Sequence, residues 1–168
     1  YDIVKASFIK VAVEAVGDKL SLIDGLYPAV IQSRLDIPKP DYPYVVLDIL
    51  STQQENGWLY NSYANDDNHI VTETNYELLL QFRVYGGDAM SIANTLEGYF
   101  RLGHILDQVY CETFGNVVNT NPIESLPQLL ADKYVESSSF TLNFNITDTH
   151  VDITEERVIE SISLASTI

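Results

Sequence analysis

Apolar and polar side chains alternate most regularly from Thr72 to Tyr85, and a second alternating run covers Phe140 to Ile146. Successive side chains of a strand point to opposite faces of a sheet. This period of two therefore predicts two long strands, each with one buried face. We expect Phe82, Phe140 and Phe144 to lie in the core. The apolar positions are Tyr76, Leu78, Leu80, Phe82 and Val84 in the first run and Phe140, Leu142, Phe144 and Ile146 in the second.

Helical spacing marks three segments. Residues 2–16 carry apolar side chains three and four positions apart, and Gly17 is a suitable helix end because glycine accepts a left-handed backbone. Asp88 is a suitable cap for a helix that begins at Ala89 and that Gly103 breaks. A second short helix is predicted between Gly103 and Gly115.

Shorter strands and turns fill much of the remainder. Strands are predicted at Ala29–Leu35, at Tyr44–Leu50 with both faces covered, and at Arg157–Leu164 as a closing strand. The three prolines between residues 38 and 43 require a connection there, and Asp148-Thr149-His150 predicts a turn. The expected fold is α+β: a mostly antiparallel twisted sheet packed against two or three helices, with a protruding loop or hairpin.

Residues 52–70 form a polar stretch that contains large aromatic side chains. Long insertions of this kind in compact domains are often functional, so a variable extended loop or hairpin is expected. Trp58, Leu59, Tyr60 and Tyr63 have no evident core in this stretch, and Trp and Tyr are enriched where protein surfaces meet. These four residues are the candidate protein-interaction site, with local packing beneath the loop as the alternative.

Composition and charge narrow the classes of function. The 168 residues fit one domain, residues 1–168, and nine Lys plus Arg against 24 Asp plus Glu give a net charge of −15. This balance argues against a protein that binds the nucleic-acid backbone or an anionic membrane surface. The charge either keeps the protein soluble or lines a passage along which DNA slides. No apolar run approaches the roughly 20 residues needed to span a bilayer, so we expect an intracellular site of synthesis.

The sequence contains no recognisable catalytic, cofactor or metal motif. Asp66, Asp67 and His69 are close in the chain but lack the glycine and distal glutamate of a calcium loop. The turn at residues 86–88 lacks the Lys-Ser/Thr pair of a phosphate-binding loop. Cys111, the only cysteine, follows Val109 and Tyr110 and is expected to be a buried structural thiol. We therefore predict no enzyme activity, no cofactor and no metal.

Several segments together are similar to the phage neck terminator family, which is related in fold to tail terminator proteins. The resemblance spans roughly residues 20–165, and residues 53–68 are the part in which family members vary. It is carried by the order of Pro43-Tyr44-Val45-Val46-Leu47-Asp48-Ile49-Leu50, Gln81-Phe82-Arg83-Val84-Tyr85-Gly86-Gly87-Asp88-Ala89, Leu126-Pro127-Gln128-Leu129-Leu130 and Val158-Ile159-Glu160-Ser161-Ile162.

The resemblance implies a structural virion protein of the neck/tail junction, made in the host cytoplasm, rather than an enzyme. It implies a homo-oligomeric ring, usually a hexamer, that joins the tail tube to the head–neck connector and lets DNA pass without sequence-specific binding. The implied partners are other copies of the chain, neck connector or portal-adaptor proteins, and tail tube or sheath proteins, with no membrane. The alternatives are another tail-completion or sheath-contacting virion protein, and an α+β ligand-binding module unrelated to phages.

Overall fold

The computed structural model describes residues 2–33, 38–54, 61–66, 69–130 and 133–152. Three α-helices lie in this part of the chain, and their positions confirm the three helices expected from the apolar spacing. They are α1 (Asp2–Val16), followed by a short 3₁₀ turn at Gly17–Lys19, α2 (Ala89–Tyr99) and α3 (Gly103–Thr113). The side chain of Asp88 caps α2 by accepting a hydrogen bond from the amide of Ser91 at 3.2 Å.

The strands form one large, mostly antiparallel sheet and two small hairpins. The large sheet has seven strands in the order β3-β4-β6-β11-β7, with β5 added to β6 and β8 added to β11. Only the β3–β4 pair is parallel among the described strands, so the expected α+β class is confirmed. The strands are β1 (Leu22–Ile23), β2 (Tyr27–Pro28), β3 (Val30–Gln32), β4 (Tyr44–Gln54), β5 (Asn61–Ala64), β6 (Ile70–Tyr85), β7 (Gly115–Thr120), β8 (Glu124–Ser125), β9 (Gln128–Leu130), β10 (Lys133–Val135) and β11 (Ser137–Asp152).

Strands β6 and β11 pair along their entire lengths, from Tyr85 opposite Ser137 to Ile70 opposite Asp152. The turn predicted at Asp148-Thr149-His150 is wrong, because these residues continue β11 and pair with residues 72–74. Asp148 is a common turn residue, but no glycine or proline follows it, and β6 offers a ladder of hydrogen-bonding groups that a turn would leave unused. The predicted closing strand at Arg157–Leu164 lies outside the described residues.

The two strands predicted before residue 52 are present with altered bounds. The first is confined to Val30–Gln32, with part of its predicted end outside the described residues. The second extends beyond Leu50 to Gln54, and a register shift between Ile49 and Ser51 lets it stay paired with β6. On β4 one face is buried in the core, whereas the opposite face is only partly covered.

The core lies between the three helices and one face of the sheet. Phe8 of α1 packs against Phe82, Phe100 and Phe144 with ring centroids 5.1–6.3 Å apart, and Phe82 stacks on Phe140 at 5.2 Å. Each ring is essentially inaccessible to water, and burying one such side chain contributes about 1.5–3 kcal/mol of transfer free energy. The assignment of the three strand phenylalanines to the core is confirmed.

The expectation that Cys111 is buried is wrong, because its side chain is exposed. The inward face of α3 is formed by Ile105, Val109 and Thr113, which recur every four residues and lie on one side of the helix. Cys111 is two residues from Val109, and this offset places it on the opposite, solvent side.

Candidate interaction surfaces

The long strand pair extends beyond the helix-covered core as an arm. The residues of β6 and β11 in the core cluster end at Leu78 and Phe144, and the two strands continue through Ile70–Glu77 and Asn145–Asp152. At about 3.3 Å per residue, this extension measures about 26 Å. We call it the arm, together with β5, which pairs with β6 in this region, and the turn at Asn65 and Asp66.

Tyr63 is the one candidate interaction residue that the structure describes, and it lies on β5 in the arm. Its side chain is 49% exposed, and its hydroxyl donates a hydrogen bond to Glu73 Oε1 at 3.0 Å. This hydrogen bond to a carboxylate raises the pKa of Tyr63. Trp58, Leu59 and Tyr60 lie outside the described residues, so the grouping of all four remains a prediction.

The arm carries acidic side chains and no lysine or arginine. The sequence has neither residue type between Lys39 and Arg83 or between Lys133 and Arg157. Asp66 and Asp148 are exposed, whereas Glu73 and Glu77 are partly buried and accept hydrogen bonds from Tyr63 and Asn143. The arm is therefore a negatively charged projection that offers phosphate groups no cationic contact.

Two stretches of strand edge have no partner strand among the described residues. Residues 147–152 of β11 pair with β6 on one side, whereas β7 and β8 cover only earlier parts of the strand. On the opposite side of the sheet, β3 pairs with residues 45–47 of β4, so residues 48–54 are open on that side. Unpaired strand edges are sites at which another chain can add a strand.

Exposed aromatic side chains flank the open edge of β11. Tyr110 and Phe114, together with Glu73, Thr147 and Thr149, line an open depression of about 650 Å³. Phe114 is 73% exposed and ends α3 in the left-handed conformation (φ 55°), which non-glycine residues adopt uncommonly. Sequence reasoning missed Phe114. The available signal for its exposure was its position, directly before Gly115 and after the end of the apolar helical repeat.

A cluster of three stacked tyrosines lies at the other end of β6. Tyr44 is 5% exposed and stacks between Tyr42 and Tyr85, with ring centroids 5.5 and 5.0 Å apart. The close approach of Tyr42 depends on Gly86, because a Cβ atom there would lie 2.5 Å from the Cβ of Tyr42. We call Tyr42, Tyr44 and Tyr85 the tyrosine cluster. Sequence reasoning missed it, because two of its members follow the prolines and the third ends a distant strand.

A cation lies at each end of the tyrosine cluster. Lys39 Nζ lies 4.6 Å from the ring centroid of Tyr42 and donates a hydrogen bond to its hydroxyl. Arg83 Nη1 donates to the hydroxyl of Tyr85 at 3.2 Å, and its Nη2 donates to Gln81 Oε1 at 2.8 Å. The cluster therefore combines aromatic surface with two positive charges at the end of the sheet opposite the arm.

The described residues contain no arrangement typical of metal chemistry. No three His, Cys, Asp or Glu side chains of the described ranges lie close enough to hold a metal ion. In the same residues, no helix is both long and apolar enough to cross a membrane. The expectations of no catalytic residue and no cofactor stay predictions.

Comparison with known proteins gives one decisive match. The family model of the phage neck terminator protein matches residues 9–168. The chain belongs to the phage neck terminator family. No curated protein sequence matches the chain. Membership makes it a structural component of the virion neck that interacts with other neck and tail proteins, and it confirms the resemblance seen in the sequence.

Membership in the neck terminator family implies contacts with other neck and tail proteins, for which the surfaces described above are candidates. A neck component must contact neighbours on several sides, and this chain presents the arm, the open strand edges and the tyrosine cluster at separate places. The arm tip and the tyrosine cluster lie at opposite ends of β6, which is 16 residues long.

Proposed function

We propose that the chain forms a homo-oligomeric ring, most simply a hexamer, that joins the tail tube to the head–neck connector and lets DNA pass through its centre. In this proposal it has no enzyme activity, and residues 1–168 act as one domain built around one core cluster. The observation that supports the proposal is that the arm and the tyrosine cluster, two different surfaces, lie at the two ends of β6. A subunit that uses two different surfaces forms a ring when the rotation between copies closes.

The net charge of the chain supports the passage of DNA. Binding to the DNA backbone draws its strength largely from Lys and Arg, which displace counterions from phosphates. The chain has 24 acidic residues against nine Lys plus Arg, so a channel lined by its surface would offer the phosphates few cations to hold DNA in place. DNA could then move through the ring without sequence-specific contacts.

We propose that Trp58, Leu59, Tyr60 and Tyr63 contact neighbouring subunits or the neck connector, portal-adaptor, tail tube or sheath proteins. Tyr63 supports this assignment because it is about half exposed on the arm and its hydroxyl is already oriented by Glu73. Tyrosine and tryptophan contribute disproportionately to interface energy because they bury large rigid surfaces.

The experiment is native mass measurement of the chain over a wide concentration range, with the Trp58→Ala/Tyr60→Ala variant in parallel. A discrete ring, with weaker assembly by the variant at unchanged thermal unfolding, is the expected result. A matched control is Tyr27→Ala, which removes an exposed tyrosine from the small β1–β2 hairpin, far along the chain from the candidate residues.

Two outcomes would contradict the proposal. A tight dimer at all concentrations would exclude a ring built from two different surfaces. Loss of cooperative unfolding in the Trp58→Ala/Tyr60→Ala variant would place these side chains in the core rather than at an interface. If the unaltered chain is monomeric, the same measurement on purified tails decides whether rings form on that template.

A further inference from the structure

The two cations beside the tyrosine cluster have no carboxylate partner among the described residues, and Lys19, which donates a hydrogen bond to Thr95, is a third cation without one. The ion pairs in that part of the chain use Lys5, Lys10 and Arg101. Lys39 and Arg83 instead contact tyrosine hydroxyls and a glutamine amide. No carboxylate of the described residues pairs with Lys39 or Arg83, so within that part of the chain both cations are open to an external carboxylate.

The guanidinium of Arg83 is only partly satisfied. Its two terminal nitrogens each donate one hydrogen bond, to Tyr85 and to Gln81. Its Nε is buried and has no acceptor in the described ranges. An unsatisfied buried donor costs free energy, and hydrogen bonds between a guanidinium and a carboxylate are among the strongest in proteins. A carboxylate from outside could accept from the two terminal nitrogens, each of which has donated only one of its two hydrogens.

The tyrosine cluster beside Arg83 is ordered before any partner arrives. Tyr44 is held between Tyr42 and Tyr85, so the rings lose little side-chain freedom on binding. The hydrogen bond with Tyr42 raises the pKa of Lys39, so the lysine stays charged near neutral pH. Tyrosine and arginine are also the residue types most enriched in the energetic centres of interfaces.

The arm of the same molecule cannot reach this cluster. Tyr85 ends β6 and Ile70 begins it, so the two ends are about 50 Å apart at about 3.3 Å per residue. We infer that the tyrosine cluster with Lys39 and Arg83 receives the acidic arm of a second copy of this chain. This contact rests on the proposed ring, since each copy would give its arm to one neighbour and its cluster to the other.

Charge complementarity favours a second copy as the partner. The arm supplies exposed carboxylates at Asp66 and Asp148 and no cation that would repel Lys39 or Arg83. The cluster is not a broad basic patch, because Glu136, whose carbonyl accepts from the Gly86 amide, is its neighbour. Recognition therefore depends on individually placed charge pairs rather than on general attraction of polyanions.

The test uses two full-length variants that each lack one surface. Lys39→Glu/Arg83→Glu reverses the cluster charges, and Asp66→Asn/Asp148→Asn neutralises the exposed charges of the arm. Each variant alone should associate at least about tenfold more weakly than the unaltered chain at low salt. Mixed together, they should form a 1:1 heterodimer, because one intact cluster and one intact arm remain. Native mass and sedimentation at low and high salt report both results.

Controls separate this contact from charge and folding effects. Lys5→Glu/Lys19→Glu makes the same change in net charge on the helix side and should leave association unchanged. Because Arg83 is partly buried, Lys39→Glu alone serves as a second variant whose thermal unfolding should match that of the unaltered chain.

The outcomes distinguish the contact from the ring. Unaltered rings without a heterodimer would overturn the inferred contact and leave the proposed function standing. A heterodimer without rings of the unaltered chain would keep the contact and overturn the ring. No association in either experiment overturns the inferred contact, and the measurement on purified tails then decides the ring. Binding of labelled duplex DNA that is lost only in Lys39→Glu/Arg83→Glu, without a heterodimer, would assign the cluster to phosphate and also overturn the contact.

Discussion

Gly115 is the first residue of β7 and follows α3 closely in the chain. Among the described glycines, it leaves the least room for a Cβ atom. It pairs with Ile146 of β11, and a Cβ atom built there would lie 2.3 Å from the Phe144 ring and 2.7 Å from the Asn145 carbonyl oxygen. Both distances are shorter than any ordinary van der Waals contact, and the carbonyl oxygen belongs to the backbone of β11, which lies between β6 and β7 in the sheet. The Gly115→Ala substitution therefore forces either the core ring or β11 to move.

The expected cost follows from overpacking. Added methyl groups in a packed core typically cost about 1–3 kcal/mol, and we expect Gly115→Ala to lower the free energy of unfolding by about 2 kcal/mol. For a chain of this size, 1 kcal/mol corresponds to about 2–4 °C, so the midpoint of thermal unfolding should fall by about 4–8 °C. Urea unfolding with an unchanged slope gives the stability difference directly.

Gly98 supplies the matched control, because a Cβ atom on this residue of α2 would meet no atom of a neighbouring described element within 4 Å. Alanine is the better helix former, so Gly98→Ala should raise the free energy of unfolding by about 0.5 kcal/mol. The two substitutions add the same methyl group with opposite expected signs. If Gly115→Ala unfolds at the same urea concentration as the unaltered chain, the close approach at Phe144 does not constrain the fold and the reasoning fails.

Two further predictions concern α3. The exposed Cys111 should react with a thiol reagent in the folded protein at a rate close to that in urea, whereas strong protection would show that a contact covers it. The hydrogen-bonded salt bridge with Lys10 lowers the pKa of Glu112 from its ordinary value of 4.5. The pair therefore stabilises the folded protein fully above pH 4.5, and this stabilisation is lost as the pH falls through the lower pKa of the folded state. Urea midpoints measured from pH 7 to pH 3 should therefore fall less steeply for Lys10→Met than for the unaltered chain, and parallel curves would contradict the assignment.

Most of the fold could be predicted from the sequence, because apolar side chains recur at helical spacing in the helices and at alternate positions in the long strands. Phe82 and Phe144 lie at alternate positions of strands with one buried face, and this pattern needs no knowledge of the partner strand. The position at which β11 ends could not be predicted from this alternation. Asp148 favours a turn locally, and only the sixteen-residue partner strand β6 decides that it continues the sheet.

The surfaces were less predictable, because they are made by residues distant in sequence. Tyr63 was identified from its polar surroundings, and the structure places it on the arm. Tyr42, Tyr44 and Tyr85 come together only because β4 and β6 pair in one particular register. The exposure of Phe114 depends on where α3 ends, and helix ends are poorly defined by apolar spacing alone.

The continuous pairing of β6 and β11 also has a mechanical consequence. The hydrogen bonds of an antiparallel ladder run perpendicular to its strands, so a pull along the arm loads many of them together rather than one after another. The same two strands enter the core at Leu78 and Phe144 without an intervening hinge. Tension applied at the arm tip is therefore transmitted along these strands to the packed phenylalanines of the core.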